Sequence, residues 1–129
     1  METAAVTSTH RAQVVDLAAI MAGAAHGAGA DGVHWTLQPA GDLNANLVRL
    51  EPGHVVEHHV NDAVDVVIVV LAGTGTVTVD GEDAEVGPRL LVEIPKGAGR
   101  RLRAGDEGLW YLTVHRRKAG IGIDLTRHR

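Results

Sequence analysis

The 129-residue chain contains no cysteine and no phenylalanine, and only two tryptophans and one tyrosine supply its aromatic side chains. Without cysteine there are no disulfides and no thiolate ligands, so a metal would have to be bound by histidine, carboxylate or amide groups. The chain also has no excess of positive charge, since its formal net charge is -4. A nucleic-acid surface needs clustered cations to displace counterions from phosphates, and the basic run 116–118 is short. We therefore expect no nucleic-acid partner.

Long apolar runs are missing as well. No stretch reaches the roughly 18 to 20 apolar residues that a membrane-spanning helix requires, so we expect a soluble protein with no membrane partner. The apolar segment 17–25 has some features of a secretory signal, but the acidic residues Glu2 and Asp16 count against one. We expect a cytoplasmic protein, and the chain length fits a single domain that buries its own core.

The N-terminal part of the chain is patterned as a helix. Between Thr9 and about Ala25, apolar residues recur at positions i, i+3, i+4 and i+7, and Thr9 is available as a cap. This pattern predicts one helix. The chain divides into a helix and linker at 1–32, a β-barrel at 33–118 and a C-terminal tail at 119–129.

From residue 33 onward, short runs of β-branched residues are separated by glycine and proline. Asp80-Gly81 is a strong hairpin signal, and Gly73-Thr74-Gly75 also predicts a hairpin turn. The pattern predicts an all-β antiparallel sandwich or barrel of nine strands. These strands are expected at 33–37, 45–50, 55–60, 65–71, 76–79, 84–86, 90–94, 100–103 and 109–115.

The run Val66–Leu71 is apolar at every position and does not alternate. Both of its faces should therefore be covered. One cover is the barrel interior, and we expect the other to be a second copy of the chain, because a single helix covers little of a sheet. A homodimer follows as a hypothesis.

Polar side chains interrupt the segment before this run. In a regular strand, Glu57, His59 and Asn61 lie on one face and His58 lies on the other. Asp65 then opens the most apolar strand, where a carboxylate is costly unless a partner satisfies it. We expect His59, Asn61 and Asp65 to face the barrel interior.

These residues resemble the first motif of the cupin superfamily, a group of small β-barrels. That motif is glycine, five residues, His-x-His, three or four residues, Glu, and glycine after about six more. Here Gly53 is followed after five residues by His59-Val60-Asn61, then after three by Asp65, and Gly73 comes after seven more. The resemblance implies a cupin-like antiparallel β-barrel, also called a double-stranded β-helix or jelly roll.

The second cupin motif is matched at Pro95-Lys96-Gly97, with Arg100 where the family has histidine and Ala104 where it has asparagine. Metal-binding cupins hold iron, manganese, nickel or zinc with three histidines and one glutamate. Carried over by position, that set becomes His59, Asn61, Asp65 and Arg100. Arginine is always protonated and has no lone pair to give, so the usual four-ligand set is broken.

Three interpretations of this pocket stay open. In the first, the barrel binds a small molecule whose carboxylate or phosphate is held by Arg100 and oriented by His59 and Asn61, with or without a divalent metal. In the second, a metal-dependent enzyme of the non-haem iron dioxygenase or isomerase type uses His59, Asp65 and His115. In the third, Asp65 and Arg100 form an ion pair inside a structural or regulatory dimer that has no ligand.

The role of His115 depends on which face of the last strand is buried. Trp110, Leu112 and Val114 are the apolar alternate positions, and ordinary in–out patterning places them inside the barrel. His115 then points outward. If a dimer contact covers the outer face instead, the polar set lines the pocket and Tyr111 is a further hydrogen-bond donor.

Overall fold

The structure is a computed structural model that describes residues 10–24, 31–39 and 41–117. One helix, α1 (Leu17–Ala24), precedes seven β-strands. The strands are β1 (Gly32–Thr36), β2 (Leu43–Leu50), β3 (Val55–Val60), β4 (Val66–Val79), β5 (Glu82–Val86), β6 (Leu91–Ile94) and β7 (Gly99–Arg116). Within the described residues there is no helix with the length and apolar character needed to cross a membrane.

Helix α1 is shorter than the helix that the sequence predicts. It begins directly after Asp16, whose Oδ1 accepts a hydrogen bond from the Ala19 N–H at 3.0 Å. Residues 10–16 are not helical, and the predicted ends Thr9 and Ala25 lie outside the described residues. Asp16 is therefore the N-cap, because its carboxylate satisfies an N–H group that has no partner within the first turn.

Strands β4 and β7 pair with each other over most of their lengths, and each belongs to two sheets. The first half of β4 and the second half of β7 form sheet I, in the order β1-β2-β7-β4-β6. The remaining halves form sheet II, in the order β3-β7-β4-β5. The core lies between the two sheets. The predicted antiparallel β-barrel with one N-terminal helix is confirmed.

The nine predicted strands become seven because the chain bends at glycine without ending a strand. Gly73 to Gly75 is predicted as a hairpin turn but lies within β4, where the register to β7 shifts. Gly73 has a φ of 80°, and a Cβ there would overlap the carbonyl oxygen of Gly108. Such a bulge turns a strand from one sheet into the next, and β7 bends in the same region.

The predicted hairpin at Asp80-Gly81 is confirmed. Both residues have positive φ, 47° and 85°, as a two-residue turn with the right-handed strand twist requires. Val79 lies opposite Glu82 on the paired strands β4 and β5. Aspartate and glycine tolerate this conformation at low cost, so the local sequence decides this turn.

The apolar run of β4 has side chains on both faces of sheet I. Val66, Ile68 and Val70 are buried in the core between the sheets. The alternate residues are only half-buried on the outer face, where Val69 lies between Leu112 of β7 and Leu91 of β6. This outer face is apolar, and the homodimer through it stays a prediction.

The close approach of Gly73 to Gly108 predicts a large effect of a single methyl group. Gly73→Ala should lower the free energy of unfolding by about 4 kcal/mol, because the bend has no room for a Cβ. Gly53→Ala is the matched control, since Gly53 has a similar φ of 77° but nothing within 4 Å of the added Cβ. Its cost should be only about 1 kcal/mol. Urea unfolding measures both values, and equal losses would contradict the packing argument.

The homodimer predicts a dimer mass in solution and a specific way to disrupt it. Leu91 is 60% exposed on the outer face of sheet I, so Leu91→Lys should leave the fold intact and place a charge in the contact. We expect this variant to be monomeric by light scattering. Val60→Lys, in β3 of the opposite sheet, is the control and should remain dimeric. A monomer mass for the unmodified protein would remove the hypothesis.

Candidate functional site

A bulge in β3 brings His59 to the inner face of sheet II. Val56 lies opposite Leu102 and His59 lies opposite Arg100, with a register shift between the two pairs. Leu102 belongs to the core, so its partner Val56 faces inward. Arg100 is two residues before Leu102 on β7, so its side chain also faces inward. His59 lies opposite Arg100 and shares that face. Three positions separate Val56 from His59, so a regular strand would place them on opposite faces.

His58 takes the outward direction. Its imidazole lies over Gly99, where a Cβ would overlap the ring. Glu57 is also exposed, and its Oε1 lies 3.9 Å from Nε of Arg101. His59 therefore faces the interior and His58 does not. The prediction that Glu57 and His59 share one face of a regular strand is wrong, because Glu57 is exposed.

Arg100 is a half-buried cation inside the barrel. Burial lowers the pKa of its guanidinium below the ordinary value, and the nearby phenol of Tyr111 acts in the opposite direction. The group stays charged, because arginine is not deprotonated in proteins. Among the described residues, no carboxylate forms an ion pair with it and no hydrogen bond from its side chain is present.

Asp65 does not face the interior as predicted. Its side chain is exposed, and Oδ1 accepts a hydrogen bond from the Lys96 backbone N–H at 2.9 Å. It forms no ion pair with Arg100, so that expectation is wrong. The reason is a one-residue offset, since adjacent residues of a strand point to opposite faces. The inward position is Val66, which is also where the family spacing of six residues before Gly73 falls.

Asn61 serves the loop between β3 and β4. Its Oδ1 accepts hydrogen bonds from the N–H groups of Ala63 and Val64, at 2.9 Å and 3.2 Å. Its carbonyl oxygen accepts a third from the Gly97 N–H at 2.8 Å. Asparagine commonly closes turns in this way. With its side-chain oxygen occupied by two backbone donors, Asn61 acts as a structural residue of this loop.

The polar alternate positions of β7, and not the apolar ones, face the interior. Tyr111 is a member of the core cluster and only 6% exposed. His115 lies opposite the core residue Val66, so it shares the inner face. The expectation that His115 points outward is therefore wrong, and the polar alternate positions Tyr111 and His115 face the interior; that they line a ligand pocket stays a prediction.

The apolar positions of β7 pack on the outer face of sheet I. Trp110 is buried there, with the Arg49 guanidinium 5.5 Å from its ring centroid and the His34 ring 5.0 Å away. Both side chains come from neighbouring strands of sheet I, Arg49 from β2 and His34 from β1, and they cover Trp110 on this face. In–out patterning fails for β7 because both faces of its strand are covered.

Five polar side chains line the inner face of sheet I and form what we call the inner polar ladder. They are Thr36 of β1, Asn44 and Asn46 of β2, and Thr113 and His115 of β7. Thr36 Oγ1 donates to Asn46 Oδ1 at 2.7 Å, and Asn46 Nδ2 donates to Thr113 Oγ1 at 3.5 Å. Asn44 Nδ2 lies 3.4 Å from His115 Nε2.

Sequence reasoning missed most of this ladder. The available signal was β2, where Asn44 and Asn46 alternate with Ala45 and Leu47, as in a strand with one polar face. That pattern would ordinarily turn the asparagines toward solvent. Here the apolar set instead faces the covered outer side, where Ala45 and Leu47 are buried.

The described residues do not assemble the metal sites that the sequence suggests. His59 and His115 both face inward, but Asp65 is outside, and no group of three or more His, Asp or Glu residues in the described part of the chain is placed to hold a metal. Asp65 and His115 border one surface cavity of about 280 Å³, which His59 does not reach. Because Arg100 has no lone pair, the family's iron, manganese, nickel or zinc set does not fit here.

Tyr111 has an unusual environment for a phenol. Burial raises the pKa of Tyr111 to about 12, and the positive charge of Arg100 opposes this rise. The side chain is therefore neutral at physiological pH and is able both to donate and to accept a hydrogen bond. Tyr111, Arg100 and His59 therefore give the interior a group of polar side chains that includes the fixed positive charge of Arg100.

A family model for the cupin domain matches residues 46–115, more than half of the chain. The chain therefore belongs to the cupin family. No curated protein sequence matches it.

Solved structures share the fold at low sequence identity. A protein from Thermus thermophilus is 23% identical with a TM-score of 0.68, over 80% of this chain and 95% of that one. A Bacteroides fragilis cupin protein is 18% identical with a TM-score of 0.63, over 95% and 98%. KdgF from Halomonas sp. is 20% identical with a TM-score of 0.61, over 66% and 78%. At these identities the likeness shows the fold alone.

Tyr111 is the only tyrosine of the chain, so its ionisation can be followed directly by ultraviolet absorbance. We expect a midpoint near pH 12 while the protein is folded, because burial raises the pKa to about 12. Arg100→Leu should move the midpoint higher still, since the opposing positive charge is removed. Circular dichroism at each pH checks that the fold persists. A midpoint near 10 in the folded protein would contradict the buried position.

The same shift predicts how stability depends on pH. The folded state holds the phenolic proton more tightly than the unfolded state, so stability is fully present below about pH 10 and falls as pH rises toward 12. The loss from this group should be about 2 to 3 kcal/mol. Tyr111→Phe has no proton to lose and should remove this part of the alkaline loss in urea unfolding.

Proposed function

We propose that this cupin domain binds a small anionic molecule inside the barrel and that Arg100 holds its charged group. The observation that carries the proposal is a guanidinium that is half-buried between two sheets and has no carboxylate partner among the described residues. Burying a charge is costly unless it is paired. A bound carboxylate or phosphate would supply that pairing through two parallel hydrogen bonds.

The neighbours of Arg100 are suited to orient such a ligand. His59 lies directly opposite it on the adjacent strand, so the two side chains start about 5 Å apart and point the same way. Tyr111 faces it from the other sheet and interacts with its charge. A neutral phenol and an imidazole beside a fixed cation give an anion both charge complementarity and directional hydrogen bonds.

No reaction follows from these groups. The pocket has no serine or cysteine nucleophile, since the chain has no cysteine and its one serine, Ser8, lies far before the barrel in sequence. The cupin fold serves many chemistries, so family membership leaves the activity open. Binding of a small anion is the function that the described site supports best.

Ligand binding should appear as thermal stabilisation by small anions. An anion at about ten times its Kd should raise the free energy of unfolding by about 1.4 kcal/mol, which is about 5 °C in Tm for a domain of this size. We suggest acetate, citrate and inorganic phosphate at equal ionic strength as first probes. A chloride series at the same ionic strength separates specific binding from screening.

Arg100→Leu should abolish this stabilisation. Arg103→Leu is the matched control, because Arg103 is on the same strand but exposed on the outer face. Both variants lose one positive charge, so a general charge effect would change them equally. Retained stabilisation in Arg100→Leu, or an equal loss in both variants, would argue against the proposal.

A further inference from the structure

The inner polar ladder divides the inner face of sheet I into two chemically different halves. Thr36, Asn46 and Thr113 are cross-strand neighbours in one row, and that row continues onto β4 and β6 as Ile68 and Val92. Asn44 and His115 form the next row, which continues as Val66 and Ile94. One side of the interior is therefore polar and the other is apolar.

The ladder does not use all of its own hydrogen-bonding groups. Asn46 has two amide protons, and only one has an acceptor, Thr113 Oγ1. The Thr113 hydroxyl proton has no acceptor among the described residues. These side chains are half-buried, so their open donors are available to an external acceptor.

The row formed by Asn44 and His115 adds a hydrogen-bond acceptor. His115 Nδ1 lies 3.0 Å from the Arg116 carbonyl oxygen, which only accepts, so this nitrogen carries the proton. With the proton on Nδ1, Nε2 is the acceptor of the hydrogen bond from Asn44 Nδ2. Asn44 Oδ1 is left with no donor in the described part of the chain. The ladder thus offers both donors and an acceptor to the interior.

A hydroxyl group is the ligand group that matches this combination, because it donates one hydrogen bond and accepts others. Tyr111, which interacts electrostatically with Arg100, and Thr113 are two residues apart on β7, about 7 Å along the strand. A small acid is long enough to reach both.

We infer that the ligand of this barrel is a carboxylate with several hydroxyl groups, in which Arg100 holds the carboxylate and Asn46, Thr113 and Asn44 select the hydroxyls. This inference rests on the proposed anion site. The ladder residues are specificity-determining residues, and the anion site supplies the charge recognition.

The test compares two probes of equal charge and similar length, gluconate and hexanoate, by isothermal titration calorimetry on the full chain. We expect gluconate to bind about ten-fold more tightly, since two hydrogen bonds of about 0.7 kcal/mol each give that ratio. Thr113→Val, which keeps the side-chain shape, should reduce the ratio by about three-fold for the same reason. Hexanoate affinity should not change.

Asn46→Leu is a second variant and should reduce the gluconate preference further. Thr78→Val is the matched control for Thr113→Val, because Thr78 lies on the outer face of sheet II, where its hydroxyl donates to Asp83 Oδ1 at 2.6 Å. It should change neither affinity. Thermal melts establish that each variant is folded, and the isosteric Thr113→Val carries the test if Asn46→Leu does not fold.

The outcomes separate the two proposals. Equal binding of gluconate and hexanoate, both lost in Arg100→Leu, would overturn the ladder inference and leave the anion site intact. A gluconate preference that survives in Thr113→Val and Asn46→Leu would also overturn it. If neither acid binds, while phosphate stabilises the protein through Arg100, the carboxylate class is wrong but the anion site stands. If no anion binds, both proposals fail.

Discussion

The antiparallel pairing of β4 with β7 is the constraint on which the rest of the fold depends. These two strands are the only described elements that belong to both sheets, and every other strand except β1 pairs with one of them. Both must bend from sheet I into sheet II without losing their pairing. The contact between Gly73 and Gly108 permits this, because the strands approach too closely there for any side chain.

This shared pairing also determines where the polar interior lies. Strand β7 supplies Arg100 to the inner face of sheet II and, after its bend, Tyr111, Thr113 and His115 to the inner face of sheet I. One strand therefore furnishes opposite walls of the same space. Arg100 is half-buried between them, so water screens its charge less than it screens a fully exposed cation.

The interior has kept the cupin architecture while replacing the chemistry of its metal positions. Arg100 stands where a histidine ligand is usual, and Val66 occupies the inward position at which the family's acid spacing falls. Histidine and glutamate donate electron pairs to a metal, whereas Arg100 has a fixed positive charge and only donates hydrogen bonds. The usual four-ligand set for a divalent cation is therefore not available at these positions.

The sequence by itself determined the all-β class, the Asp80-Gly81 hairpin and the inability of Arg100 to bind a metal. Each depends on local conformation or on the chemistry of one residue type. Tertiary structure decided that Asp65 lies outside and His115 inside. Period-two reasoning assumes a strand with one covered face, whereas sheet I packs on the core on one side and also buries apolar side chains, such as Leu47 and Trp110, on the other. Only the packed structure shows which of the two faces of sheet I meets the core.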